Sequence, residues 1–132
     1  MYEAVMDVMD EQHIIIGTAA VADYKPAVYE NQKVKKQAGD STLELTRTKD
    51  ILREVGKRKT NQILIGFAAE TNDLDEYAKK KLVKKNADMI VANNVTHEGA
   101  GFGTDTNIVT LYKKDGSFRE LPLLSKAEVA KE

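Results

Sequence analysis

The chain has no cysteine and no tryptophan, and only two histidines and two prolines in 132 residues. Without cysteine there are no disulfides, no thiolate nucleophile and no thiolate metal ligands. That usage fits a cytoplasmic setting. The two histidines, His13 and His97, lack metal-ligand spacing, and no Ser-His-Asp arrangement can be read. No apolar run approaches the roughly 20 residues of a membrane span. The start, Met1-Tyr2-Glu3-Ala4, has neither a basic n-region nor a signal-peptide core. Neither a GxGxxG fingerprint nor a Walker motif occurs. With 20 basic and 21 acidic residues the formal net charge is −1, which gives no global field for nucleic acid or a membrane surface. What remains is 42% hydrophobic and 31% charged residues, the balance of one globular domain over 1–132.

The hydrophobic pattern alternates between two periods. Tyr2, Val5, Met6 and Met9 repeat at helical spacing, predicting a helix over 2–11 that starts without a capping residue. Ile14, Ile15 and Ile16 form a β-branched run, predicting a strand over 13–18 covered on both faces, as in parallel sheets. A long connection follows, interrupted by Pro26 and basic at Lys33, Lys35 and Lys36. Leu43 and Leu45 alternate with polar residues, predicting a strand over 42–47. Thr48 is placed to cap a helix from Lys49 that ends at Gly56. Residues 62–69 form the clearest buried strand. A helix over 73–87 points Leu74, Tyr77, Ala78 and Leu82 inward. A further strand, Met89-Ile90-Val91, runs into Ala92-Asn93-Asn94, and a polar loop over 95–106 follows. Asp115-Gly116 between the apolar runs 108–112 and 118–123 predicts a hairpin. Ser125 and Glu128 have capping-box spacing for a last helix. The sum is an α/β chain: a Rossmann-like parallel sheet with flanking helices and a C-terminal β-hairpin.

In such folds ligands bind at the carboxyl edge of the strands. Several short motifs collect at strand ends here: Ala-Ala-Val-Ala-Asp-Tyr at 19–24, Lys-Val-Lys-Lys at 33–36, Gly-Phe-Ala-Ala-Glu-Thr at 66–71 and Ala-Asn-Asn at 92–94. Lys81 and Lys85, four apart, share one helix face, and two ammonium groups so placed suit a polyphosphate. The commoner reading of such a run is a solvated basic face, since Lys79, Lys80 and Lys84 share the helix. A lysine in the 33–36 loop could neutralise charge on a reacting phosphate, or simply belong to a basic loop. Asp23 suits a ribose or base contact as well as a cap. Phe67, between Gly66 and Ala68, either stacks on a base or fills core, the commoner case. Glu70, Thr71, Asn93 and Asn94 are site groups or turn residues. The loop Gly101-Phe102-Gly103-Thr104-Asp105 is a turn-forming composition.

Taken in order, these motifs, with Lys85-Asn86, Gly101-Phe102, Asp105 and Asn107, resemble phosphopantothenoylcysteine synthetase (phosphopantothenate–cysteine ligase) across nearly the whole chain. The resemblance implies a ligase of coenzyme A biosynthesis. It also implies that 4′-phosphopantothenate reacts with CTP, accompanied by Mg2+, to give an acyl-cytidylate, which cysteine then attacks. By position, Asp23, Lys33, Phe67, Lys81 and Lys85 match the family's CTP-binding residues. Lys33 matches the lysine needed to form the acyl-cytidylate, and Lys49, Asp50, Ile51 and Leu52 match another nucleotide-contacting stretch. No protein metal ligand is implied. Family members are homodimers, in many bacteria fused to a flavin-dependent decarboxylase. They begin with a further strand, a Ser-Gly-Gly-Thr-type loop and an asparagine-bearing segment not found before Met1. The expectation is therefore a C-terminal portion of the synthetase, a fragment or a natural truncation, with impaired turnover on its own. Two alternatives stand beside it. One is a non-catalytic homologue that binds nucleotide or a partner; the other is a Rossmann-type nicotinamide oxidoreductase, which leaves the missing glycine fingerprint unexplained.

Overall fold

The computed structural model describes residues 1–35, 38–70, 73–96, 99–100 and 103–132, with the side chains of Glu70 and Asn94 outside the description. The chain forms two compact units: Met1–Thr18 with Ile51–Glu132, and Ala19–Asp50.

The larger unit is built on a five-stranded sheet. Its helices are α1 (Tyr2–Val8), α2 (Ile51–Arg58) and α3 (Leu74–Lys85), with a short C-terminal α4 (Lys126–Val129). Between α1 and the first strand, β1 (Ile14–Gly17), lies one 3-10 turn, Met9–Glu11. Strands β2 (Tyr24–Pro26) and β3 (Leu45–Arg47) belong to the smaller unit. The remaining strands are β4 (Ile63–Glu70), β5 (Met89–Asn94), β6 (Thr106–Asn107), β7 (Val109–Lys113), β8 (Phe118–Glu120) and β9 (Leu124–Ser125).

The large sheet runs β1-β4-β5-β7-β8. β1, β4 and β5 are parallel, with Ile14 opposite Ile63 and Ile65 opposite Met89. β7 joins β5 antiparallel, and β8 closes the expected hairpin on β7. At its turn, Gly116 sits at φ +87°. Beside it the Ser117 hydroxyl and amide both donate to Asp115 Oδ1, at 2.6 and 2.8 Å, and hold that carboxyl below its ordinary range. β6 and β9 form a separate pair. The Ser125–Glu128 capping box is present at the start of α4.

The sheet's alternation sorts its residues into two cores. Leu64, Ala68, Ile90 and Ala92 face the helices and meet Met9, Val55, Ala78 and Leu82, with Val5, Met6, Ile51 and Leu52 packed against them. On the other face Val91, Val109, Leu111 and Leu121 form a second, smaller cluster with Ile65, Met89, Leu124 and Val129.

Several expectations are corrected. β1 is not covered on both faces: it is the sheet's edge strand, and Ile14 and Ile16 are more than half exposed. β4 likewise is buried on one face only. Leu64, Gly66 and Ala68 are covered by the helices, while Ile63 and Phe67 are exposed on the face that lacks a helix layer at this end. Tyr77 points outward rather than into the core. Thr48 does not cap α2. Its hydroxyl donates to the Ala22 carbonyl at 2.6 Å and its amide to the Asp23 carbonyl at 2.9 Å. Gly56 does not end α2, which continues to Arg58; it is buried within the helix. The connection after β1 contains a short strand that the sequence does not predict, β2, which ends at the breaker Pro26 opposite Leu45.

The smaller unit is an antiparallel pair, β2 with β3, all of whose residues are exposed. Thr48 bonds back to the start of β2, and the Arg47 guanidinium lies 5.8 Å from the centre of the Tyr24 ring. Cation–π contacts of this exposed kind are weak, so the pair depends mainly on its ladder.

Candidate functional site

In the larger unit, Phe67 lies toward the carboxyl end of β4, the central parallel strand. Its neighbours Gly66 and Ala68 are buried, yet Phe67 as a residue is 37% exposed. The alternation of β4 explains this: with Leu64, Gly66 and Ala68 committed to the helix-covered core, residue 67 must face the other way. The ring therefore does not fill core, and presents a surface on which a planar base can stack.

Burial separates the lysines of α3. Leu74, Ala78, Lys81, Leu82 and Lys85 form the half-buried to buried face of the helix, while Lys79, Lys80, Val83 and Lys84 are exposed. Lys79 pairs with Asp75 at 2.7 Å and Lys80 with Glu76, both one turn earlier. The Glu76 carboxylate raises the pKa of Lys80. These exposed i,i+4 pairs are of the solvated-surface kind. Lys81 and Lys85 are not: they flank the packed face, each already engaged by neighbouring groups. The expected basic face thus divides into a solvated half and a half-buried pair.

The C-terminal end of α3 is closely tied down. Asn86 takes a left-handed conformation, φ 47° and ψ 40°. Its amide donates to the Val83 carbonyl and that of Ala87 to the Leu82 carbonyl, a Schellman-type closure. The Asn86 Nδ2 donates to the Gly56 carbonyl at 2.8 Å, and Lys114 Nζ donates to Asn86 Oδ1 at 3.0 Å. Just beyond, Asp88 accepts from the Leu64 amide at 2.8 Å and forms an ion pair with the largely buried Lys59. Burial works against ionisation of Asp88. The Leu64 amide, the Lys59 ammonium and the field of Lys114 outweigh it and hold the carboxyl below its ordinary value.

The side chains of Ile51 and Leu52 pack against the helix-covered core. Leu52 lies over strand backbone: a Cβ on Gly17 would meet its Cδ2 at 2.6 Å and one on Gly66 its Cδ1 at 3.2 Å. What this stretch can offer a nucleotide is therefore its first-turn amides, which point out of the helix with partial positive charge.

Asp23, Lys33, Lys49 and Asp50 lie in the smaller unit. Asp23, Lys33 and Lys49 are exposed and Asp50 is half-buried; Lys49 and Asp50 have polar partners. Lys36, Thr71, His97, Gly101 and Phe102 lie outside the described residues. The sequence leaves Asn93 open between a site group and a turn residue, and gives Asn107 only as one of the motif positions that carry the resemblance. The Oδ1 atoms of both asparagines are buried and have no hydrogen-bond partner among the described residues. Among the described residues no group of three or more His, Asp or Glu side chains converges as a metal site, and no helix is long and apolar enough to cross a membrane.

A family model of the DNA/pantothenate metabolism flavoprotein C-terminal domain matches residues 1–132, the whole chain. The chain belongs to this family. The coenzyme A biosynthesis bifunctional protein CoaBC of Bacillus subtilis is 58% identical over 130 residues, covering 98% of the chain and 32% of that protein. The chain thus spans about a third of the length of such relatives. The crystal structure of the C-terminal domain of a CoaBC protein is 47% identical and superposes with a TM-score of 0.78, over 98% of this chain and 55% of that one. The DNA/pantothenate metabolism flavoprotein of Streptococcus pneumoniae also superposes with a TM-score of 0.78 over 98% of this chain and 64% of that one, at 22% identity, a likeness of fold alone. The resemblance read from the ordered motifs therefore stands, as does the α/β sheet. The family gives no support to the nicotinamide alternative.

Proposed function

We propose that this chain carries nucleotide-binding residues of a CTP-dependent phosphopantothenate–cysteine ligase of coenzyme A biosynthesis. The observation that carries the reading is the exposure of Phe67. An aromatic ring that faces solvent at the carboxyl end of the central parallel strand is in the position where such sheets take ligands.

In this reading Phe67 stacks on the cytosine and Lys81 and Lys85 hold the triphosphate. The first-turn amides at Ile51 and Leu52 supplement them. Magnesium would arrive with the nucleotide and neutralise part of its charge, with Lys81 and Lys85 supplying the protein's share. The carboxylate of 4′-phosphopantothenate attacks the α-phosphate, and pyrophosphate leaves with its electron pair. The amine of cysteine then attacks the acyl carbon and releases CMP, losing a proton to form the amide. Fixed ammonium groups favour the first step because charge accumulates on the departing pyrophosphate. The resemblance also assigns Asp23, Lys33, Lys49 and Asp50 to the nucleotide, with Lys33 needed for the acyl-cytidylate. Homodimer formation and coupling to a flavin-dependent decarboxylase belong to the same proposal.

Titration calorimetry with CTP and magnesium tests the binding claim. Saturable heat is expected, with Lys81→Ala weakening affinity by roughly ten-fold or more, the worth of a charge-assisted bond. No saturable heat from the parent chain, or an unchanged constant in Lys81→Ala, sinks it.

A further inference from the structure

We infer that Asn86 is a positioning residue for the phosphate-holding end of α3, acting through Lys85. The inference deepens the CTP reading, since it takes Lys81 and Lys85 as the residues that hold polyphosphate.

The last turn of a helix has unsatisfied carbonyls and opens more readily than the middle. Lys85 is the final residue of α3. An ammonium group there is preorganised only if that turn is held, and several ties converge on the next residue. Asn86 closes the helix through its left-handed backbone. Its Nδ2 binds the Gly56 carbonyl on α2 at 2.8 Å, and its Oδ1 accepts from Lys114, in the turn between β7 and β8, at 3.0 Å. Beside it the Lys85 carbonyl is wedged against α2: a Cβ on Gly56 would stand 1.7 Å from that oxygen. The backbone of Lys85 is thereby fixed to a second helix and, through Asn86, to the hairpin.

Glycine would take this left-handed conformation more easily than asparagine. It has no side chain with which to reach α2 or Lys114. The identity of residue 86 thus matters for the bonds its carboxamide makes. Losing them loosens the turn that carries Lys85 while leaving Lys81, one turn earlier, in regular helix.

Asn86→Gly in the full chain separates these effects, because it keeps the backbone conformation and removes both side-chain bonds. Calorimetry would use CTP with magnesium and, separately, inorganic triphosphate. Affinity is expected to fall roughly five-fold for both, about the worth of one lost hydrogen bond. In a Lys85→Ala background Asn86→Gly should leave affinity unchanged while still lowering the Tm, the signature of action through Lys85. Independent, multiplying losses in the double variant, or an unchanged affinity in the single one, overturn the inference. Lys114→Ala, which removes the partner of Oδ1 and leaves the Nδ2 bond to Gly56 in place, should weaken binding in the same direction by about two-fold; no change there counts against the hairpin tie. Amide exchange reports on the turn without any ligand: Lys84 to Ala87 should exchange about five-fold faster in Asn86→Gly. If the parent chain binds neither CTP nor triphosphate, the CTP reading has failed and the role of Asn86 in binding falls with it. If binding is intact and exchange is unchanged in Asn86→Gly, only the positioning role is refuted.

Discussion

Replacing Gly56 by alanine sets two physical effects of opposite sign against each other. Within a helix, alanine is favoured over glycine by about 1 kcal/mol. A substitution at residue 56 judged by propensity alone should therefore stabilise α2. The structure puts a larger cost against it. The new methyl would stand 1.7 Å from the Lys85 carbonyl oxygen and 2.8 Å from its carbon, where ordinary van der Waals contact begins at 3.4 Å. Both atoms are backbone, so no side chain can rotate away, and the two helices must part by more than an ångström. Overpacking of this kind costs about 1–3 kcal/mol or more. Separation also stretches the Asn86–Gly56 bond, worth about 1 kcal/mol. The net expectation is a loss of about 2–3 kcal/mol, taking overpacking near the upper end of its range. At this length that lowers the Tm by roughly 6–12 °C. Urea unfolding followed by far-UV circular dichroism measures it as a lower midpoint with an unchanged slope. A midpoint equal to or above that of the parent chain would refute the reasoning, since helix propensity would then have outweighed the contact.

Two further outcomes follow from the surroundings of Asp88 and Phe67. Asp88 has a depressed pKa, so its contribution to stability is complete above the ordinary carboxyl value of 3.8 and is lost as pH falls through the depressed folded value. Asp88→Asn should cost about 2 kcal/mol at pH 7, because Lys59 is left largely buried without its partner, and the difference from the parent should shrink in urea titrations run at progressively lower pH below 3.8. A constant difference down to pH 2 would assign the loss to something other than ionisation. Phe67→Ala should weaken CTP binding by about 1–3 kcal/mol, the worth of one stacked base, while moving stability little for a ring already in contact with solvent. A large stability loss with unchanged affinity would return Phe67 to the core.

Much of this was legible in the sequence wherever a local rule was not overridden by packing. The Asp115-Gly116 hairpin, the Ser125–Glu128 capping box and the inward Leu74, Ala78 and Leu82 stripe each depend on residues within a turn or two of one another, and each is found. The failures have a common cause. The runs holding Ile14, Ile16 and Ile63 suggest an interior position, where apolar runs usually lie, but position in the sheet, a long-range property, decides which face is covered. Gly56 was read as a helix end because glycine commonly marks one; a close approach by a helix about thirty residues away is invisible to periodicity. Thr48 was assigned as a cap by its spacing, yet its hydroxyl finds the Ala22 carbonyl instead. For the site, spacing put Lys81 and Lys85 on one face but could not tell that face from the one bearing Lys80 and Lys84. Burial made the distinction. Asn93 and Asn107 belong to the motifs that carry the resemblance, but nothing local to them shows that their side-chain oxygens are buried.

The open face of β1 and β4 has a consequence for how this protein behaves among copies of itself. Ile14 stands opposite Ile63 in register, Ile16 and Phe67 lie on the same face, and among the described residues the outer edge of β1 has no strand partner. Unpaired edges flanked by apolar side chains template association. Nothing in the overall charge opposes it: the chain carries a net −1 at pH 7 and has an isoelectric point near 6.2, so mutual repulsion is weak and vanishes on slight acidification. The chain's colloidal lifetime should therefore be shortest near its isoelectric point, longer at pH 8 than at pH 6, and set by four side chains on one sheet face more than by the stability of the fold beneath them.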